Sequence, residues 1–210
     1  MRIFQLPAGL ALLYPKRIWK GPDLGQKVTL TFDDGPVPGI TDWVLEELEK
    51  RDMKATFFMV GDNVRKHPAL ARAVVSAGHQ LGNHTYHHLS GWKTSTQTYL
   101  EDVAACDAIL ADTVGEKPRF FRPPYGWMSP GQAKGIESTK RIVMWNLLSY
   151  DFDSRESSEI LIRECASRTA PGTIVVFHDQ QKTQAQLKKV LPDYLDFLVG
   201  EGYTTQLLEG

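Results

Sequence analysis

The chain of 210 residues carries 24 Lys and Arg against 25 Asp and Glu, and 42% of its residues are hydrophobic. That content can fill a core, and the length suits one compact α/β domain better than two small ones. The charge balance offers no long-range attraction for nucleic acid or an anionic membrane, so a near-neutral ligand is the simplest fit.

The N-terminus holds one apolar stretch, Leu6 to Tyr14, broken by Pro7 and without an A-x-A cleavage site. It is too short to span a bilayer and makes a poor signal peptide, which leaves the chain cytoplasmic by default, with export open. Residues 1–25 are expected to form a lead-in packed on a single domain covering 26–210. From Lys27 onward, short β-type runs alternate with segments of helical period. Val28 to Phe32 is the first strand; Thr41 can cap a helix carrying Val44, Leu45 and Leu48. Ala55 to Val60 follows as a strand, then a helix from Pro68 to Ala77 that stops at Gly78, then a short strand from Gln80 to Asn83. Tyr99, Val103, Cys106 and Leu110 recur at helical spacing. Strands at Phe120 to Arg122 and Ile142 to Trp145 flank a small helix near Gln132 to Ser138. A helix over Ser157 to Arg168, the apolar run Thr173 to Phe177, a helical stripe from Leu187 to Leu198 and a last strand at Tyr203 to Gln206 complete about seven strands. Cys106 and Cys165 lie outside any CxxC pattern and read as reduced core residues.

Polar, chemically capable residues directly follow five of the apolar runs: Asp33 and Asp34; His84 and His88; Arg122 to Gly126; Asp151 and Asp153; His178 and Asp179. In barrels of parallel strands the carboxyl ends converge on one face, so these clusters are expected to meet. His84 and His88 are four apart, which places two imidazoles on the same side of a helical turn. Two His with one carboxylate leave open positions on a divalent ion, and zinc suits that donor set best. Adjacent aspartates at a strand end point in different directions, so one can bind metal while the other acts as a base; Asp-Gly-Pro is also ordinary turn chemistry. His178, at the end of a Val-Val-Phe run, can supply the proton that a departing amine needs.

The residues resemble the polysaccharide deacetylases with a NodB-type homology domain, carbohydrate esterase family 4. Four motifs occur in family order: Thr31-Phe32-Asp33-Asp34-Gly35-Pro36, His84-Thr85-Tyr86-His87-His88, Arg122-Pro123-Pro124-Tyr125-Gly126 and His178-Asp179. The resemblance covers nearly everything from Lys27 to the end and implies a distorted (β/α) barrel of about seven parallel strands. It implies a metal-dependent hydrolase that removes N-acetyl groups from an amino-sugar polymer or oligomer, of chitin or peptidoglycan type. Asp34, His84 and His88 would hold the metal, Asp33 would be the general base and His178 the general acid, with the Tyr125 N–H helping to hold the oxyanion. Arg122 would orient Asp33 and balance its charge, Asp151 would position His178, and Pro123 and Val176 would shape the acetyl pocket.

A further family motif, commonly Asp-x-x-Asp-Trp, is altered. Leu148 stands where the first Asp falls, Asp151 follows, and Phe152 replaces Trp, keeping an apolar wall but losing an indole donor; Asp153 is a rival for the role of Asp151. Trp92 can stack on a sugar ring or pack in the core. His67, His79 and His87 read as structural or surface residues, and Trp19 and Trp43 as packing residues. The partner is an acetylated glycan; no nucleic acid or protein partner is expected. An O-acetyl glycan esterase or small-amide hydrolase on the same scaffold, or a carbohydrate-binding protein without turnover, are the alternatives.

Overall fold

The structure is a computed structural model describing residues 4–5 and 9–209; the start of the apolar stretch, Leu6 and Pro7, lies outside the described residues. Among the described residues, eight strands and eight α-helices follow in chain order. The strands are β1 (Lys27–Asp33), β2 (Ala55–Met59), β3 (Gln80–Asn83), β4 (Phe120–Phe121), β5 (Arg141–Ile142), β6 (Leu147–Leu148), β7 (Ile174–His178) and β8 (Thr204–Thr205). The helices are α1 (Gly9–Leu13), α2 (Thr41–Glu49), α3 (Gly61–Lys66), α4 (Pro68–Ser76), α5 (Thr96–Val114), α6 (Pro130–Glu137), α7 (Ser158–Arg168) and α8 (Gln184–Gly200). Seven strands run in the order β5-β4-β3-β2-β1-β7-β6, all parallel, while β8 branches from the start of β1. This is the distorted (β/α) barrel expected from the sequence.

The central strands β1, β2 and β7 are buried almost throughout, as sheets covered on both faces require. Alternation then sorts their side chains. Val28, Leu30, Phe32, Ala55, Phe57, Met59, Val175 and Phe177 join the main core with the helices, where Phe32 stacks on Phe57 at 5.0 Å and on Phe177 at 5.9 Å between ring centroids. Phe58 and Ile174 belong instead to a second, smaller cluster with Phe120, Val143 and Leu208. Thr29, Thr31 and Asp33 share the face opposite to Leu30 and Phe32. The register pairs Asp33 with His178 on one side and with Phe58 on the other, so the carboxyl ends lie level.

Two expectations are corrected. The run Ile142 to Trp145 is not one strand: β5 stops at Ile142, and β6, unread in the sequence, begins at Leu147. Each of these edges is met by the lead-in instead, Ile18 bridging Val143 and Gln5 bridging Leu147, with Leu148 N–H donating to Phe4 O at 2.8 Å. Thr41 is the first residue of α2 rather than its cap; the cap position is Ile40, and the Thr41 hydroxyl bonds Asp179 at 2.5 Å. Cys106 and Cys165 are buried and free, as expected. Among the described residues no helix is long and apolar enough to cross a membrane.

Candidate active site

Asp33 ends β1, and the chain leaves the strand at Asp34 with φ 83°. His84 and His88 are not on a helical turn: β3 stops at Asn83, and the irregular segment after it turns through left-handed residues at Thr85 (φ 64°) and His88 (φ 55°). The two rings still meet, 5.1 Å apart. Left-handed backbone in a residue with a Cβ costs on the order of 1–3 kcal/mol and persists where the surroundings enforce it. Here α5 does so. Asn83 accepts Thr85 N–H at 2.8 Å and donates to Val103 O and Asp107. The buried Asp102 accepts Tyr86 N–H (2.7 Å), His87 N–H (3.0 Å) and His87 Nδ1 (2.5 Å). His87 is therefore a structural residue, as expected. Asp102→Ala strands these donors and is expected to cost about 1–3 kcal/mol of unfolding free energy, read from urea denaturation; an unchanged midpoint would show that the loop holds itself.

Asp34 Oδ1 lies 3.0 Å from His88 Nε2 and 3.5 Å from His84 Nε2. One ligand atom from each of the three residues falls within 4.8 Å of the others. His84 Nδ1 is 2.8 Å from the Arg122 carbonyl, which can only accept, so Nδ1 donates there and Nε2 is left to face Asp34 Oδ1. Asp34 Oδ1 is a buried acceptor with no hydrogen-bond partner, and a cation between it and the ring nitrogens would satisfy it; this donor set fits a divalent ion. Gln180 Nε2 donates to Asp34 Oδ2. Burial alone would raise the Asp34 carboxyl, but its contacts with His84 and His88 and the charge of His178 hold it well below its usual range.

Asp33 Oδ1 accepts from Arg122 Nη1 at 2.7 Å, and Oδ2 lies 4.0 Å from His84 Nε2. Across the site, His178 Nδ1 is 2.7 Å from Asp151 Oδ1, while the His178 backbone N–H donates to Asp151 Oδ2 at 2.7 Å. Asp151 is fully buried and also takes the Ser149 hydroxyl. Burial opposes a charge on His178, but Asp151, then Asp34 and Asp33, push it up to about 9. The rival Asp153 pairs with Arg155 instead. Asp179 sits beneath the first motif, accepting Gly35 N–H at 3.1 Å. A Cβ on Gly35 would meet Asp179 Oδ2 at 2.1 Å, which explains the glycine. Burial pushes Asp179 up to about 8.

A cavity of about 420 Å³ brings together Asp33, Asp34, His84, His88, Pro123, Tyr125, Val176, Phe152 and His178. Arg122 and Asp151 stand behind it, fully buried. Phe152 meets the His178 ring edge-on at 5.3 Å, and Tyr125, itself left-handed at φ 61°, meets His88 at 4.8 Å. Leu148 lines the wall where the family pattern has an Asp. Trp92 is the exception among the expected substrate residues: it is absent from this cavity and meets Trp127, tilted, at 5.6 Å in the neighbouring one. Sequence reasoning missed Trp145, Gln180 and Lys182, which also line the site. Trp145 was read only as the end of a strand, although its ring closes on Gly126, where an added Cβ would meet it at 2.6 Å. His79 is buried, accepts Ala55 N–H at 3.1 Å and is pushed down to about 4 by burial, a structural histidine.

Residues 20–139 match the model of the polysaccharide deacetylase family. A peptidoglycan-N-acetylglucosamine deacetylase of Bacillus cereus is 32% identical over 83% of this chain and 65% of its own length. The corresponding enzyme PgdA of Listeria monocytogenes is 33% identical over 76% of this chain and 34% of its own length. The chain thus spans less than two thirds of either relative. A solved peptidoglycan N-acetylglucosamine deacetylase, in complex with 4-naphthalen-1-yl-N-oxidanyl-benzamide, superposes with a TM-score of 0.87 at 29% identity, covering 96% of this chain and 94% of that one. With the motifs, the barrel and these matches in agreement, the chain belongs to the polysaccharide deacetylase family.

Proposed function

We propose that this protein is a metal-dependent hydrolase that removes N-acetyl groups from an amino-sugar polymer or oligomer of peptidoglycan or chitin type, with 26–210 as its catalytic domain. The observation that carries the reading is the opposition of two proton-handling residues across one donor set. Asp33 and His178, register partners on neighbouring strands, line the same cavity as Asp34, His84 and His88.

Asp34, His84 and His88 would hold the ion, and zinc suits two imidazoles and a carboxylate. Such an ion supplies Lewis-acid polarisation of the acetamide oxygen and lowers the pKa of water towards about 7. Asp33 Oδ2, the oxygen not taken by Arg122, accepts the proton of the attacking water. The charge that develops on the carbonyl oxygen is met by the Tyr125 N–H, and a single donor of this kind is worth about 10²–10³ in rate. As the C–N bond breaks, His178 gives a proton to the sugar nitrogen, and acetate and the free amine leave. Pro123, Val176, Leu148 and Phe152 surround the acetyl methyl with apolar surface. A cell-wall glycan as substrate implies an exported chain, against the cytoplasmic default.

Metal-stripped protein is expected to release acetate from N-acetylglucosamine oligomers at least about a hundredfold more slowly, with rate restored by zinc. His84→Ala should not be rescued at the same zinc concentration. Zinc binding without acetate release from any acetylated glycan would overturn the catalytic reading.

A further inference from the structure

The two carboxylate oxygens of Asp34 have different surroundings. Oδ1 is buried without a hydrogen-bond partner, 3.0 Å from His88 Nε2 and 3.5 Å from His84 Nε2. Oδ2 is taken by Gln180, whose Nε2 donates to it. A carboxylate oxygen can only accept, so the amide has to present its NH₂ group there. Gln180 stands one residue beyond the last of the four sequence motifs, and it lines the active-site cavity.

Both sides of this contact are anchored independently of it. The Asp34 N–H donates to Phe58 O at 3.2 Å, and Asn63 Nδ2 donates to Asp34 O at 2.8 Å. Gln180 lies in the turn between β7 and α8. Before it, the Asp179 N–H donates to Asp33 O at 3.1 Å, while the Asp179 carboxyl takes the Gly35 N–H and the Thr41 hydroxyl. After it, the fully buried Thr183 donates its N–H to Gln180 O at 3.1 Å, and its hydroxyl is shared between the carbonyls of His178 and Gln180. The amide is thus delivered to Asp34 from a turn with little freedom, the preorganisation that outer partners of metal ligands supply.

A carboxylate can hold a divalent ion through one oxygen or through both. Three single-atom protein ligands leave room on a catalytic ion for water and substrate, whereas a second oxygen from Asp34 would fill part of that room. Gln180 occupies the oxygen that would do so. We propose that Gln180 is a positioning residue that restricts Asp34 to one-oxygen ligation and so keeps a position free for the water and the acetamide oxygen. The proposal rests on the reading of Asp34, His84 and His88 as the metal donors.

The test titrates cobalt(II) into the metal-stripped full chain, because cobalt absorption weakens and moves to shorter wavelength as the coordination number rises. Gln180→Met keeps the length of the side chain and removes the donor. Its cobalt bands are expected to weaken and shift in that direction, and kcat for acetate release with zinc is expected to fall about 10–100-fold, the usual effect of losing an outer partner. Gln180→Lys, which returns a donor, is expected to restore the bands of the unsubstituted chain. Gln180 is only half-buried, so thermal melts of both metal-free variants are expected to stay within about 4 °C of the unsubstituted chain. Unchanged bands in Gln180→Met would overturn the proposal and leave the metal donors standing. A rise in KM with unchanged bands would overturn it too, placing Gln180 against the substrate instead. If the unsubstituted chain takes up no cobalt, the reading of the metal donors fails and the proposal falls with it. The spectra need no turnover, so a chain that binds cobalt but releases no acetate still decides the role of Gln180.

Discussion

His178→Ala is expected to lower kcat for acetate release about 10²–10⁴-fold, the usual worth of a positioned proton donor, while zinc affinity measured by titration stays within a few-fold. The expectation comes from the division of labour in the cavity: His178 stands outside the Asp34, His84, His88 donor set but faces the same space. Its charge state has a testable origin. Burial disfavours the imidazolium, and Asp151 at 2.7 Å, with Asp34 and Asp33 further off, overcomes that and raises the group to about 9 from the ordinary 6.5. A histidine raised on folding stabilises the folded state fully below about 6.5 and loses that contribution as pH rises through about 9. The imidazolium that the proposed proton-donor role needs is accordingly in place at neutral pH, and an alkaline fall in stability and in kcat is expected around that value. NMR titration of the metal-free protein reads the group directly. Asp151→Asn removes the principal opposing charge, and the His178 midpoint is then expected to fall by more than one unit. A midpoint that stays near 9 in Asp151→Asn would show that Asp151 orients the ring without setting its charge.

How far these features could be read from the chain depended on how local their causes are. The strands β1, β2 and β7 were legible because a strand covered on both faces is a continuous apolar run, and the residues that end them, Asp33, Asp34 and His178, stood out against it. The short β6 was not legible: it is two leucines, and its outer edge is met by Phe4 and Gln5, more than a hundred residues earlier. Its neighbour β5 was overextended through Trp145 for the same reason, since apolarity alone cannot show where pairing stops. The spacing of His84 and His88 led to the right pair through the wrong geometry. Their approach comes from left-handed turns at Thr85 and His88, pinned by Asp102 and Asn83. Asp102 itself was invisible because an acidic residue in a helix of amphipathic period reads as a solvated position. Trp92 was singled out as a candidate to meet sugar or to pack in the core, yet no periodicity could reveal that it would lie beside Trp127 in a separate cavity walled by the lead-in.

Arg122→Met is expected to lower the unfolding free energy by about 3–5 kcal/mol, the usual cost of removing one partner of a buried ion pair, and to lower the melting temperature by about 6–20 °C in a domain of this size. Arg122 is fully buried. Its guanidinium donates to Asp33 Oδ1 (2.7 Å), Thr31 Oγ1 (2.8 Å), Met144 O (2.8 Å) and Val143 O (3.4 Å), lying 4.2 Å from the Phe58 ring centroid and 5.8 Å from that of Trp145. Val143 and Met144 belong to the segment joining β5 to β6, the two ends of the strand path. One side chain thus ties strand β1, which carries Asp33, to the open side of the barrel, and a lysine cannot replace it, since a point charge on a flexible stem lacks the planar fork that reaches all four acceptors. Two contributions can be separated. In Arg122→Met the Asp33 carboxylate is left buried without its cation, whereas adding Asp33→Leu removes that charge and replaces the pair with apolar groups, which is often neutral or stabilising. Thermal melts should therefore recover most of the lost stability in the double variant while acetate release stays absent. If single and double variants unfold at the same temperature, the unpaired carboxylate is not the source of the loss, and the stitching of Val143 and Met144 carbonyls carries it instead.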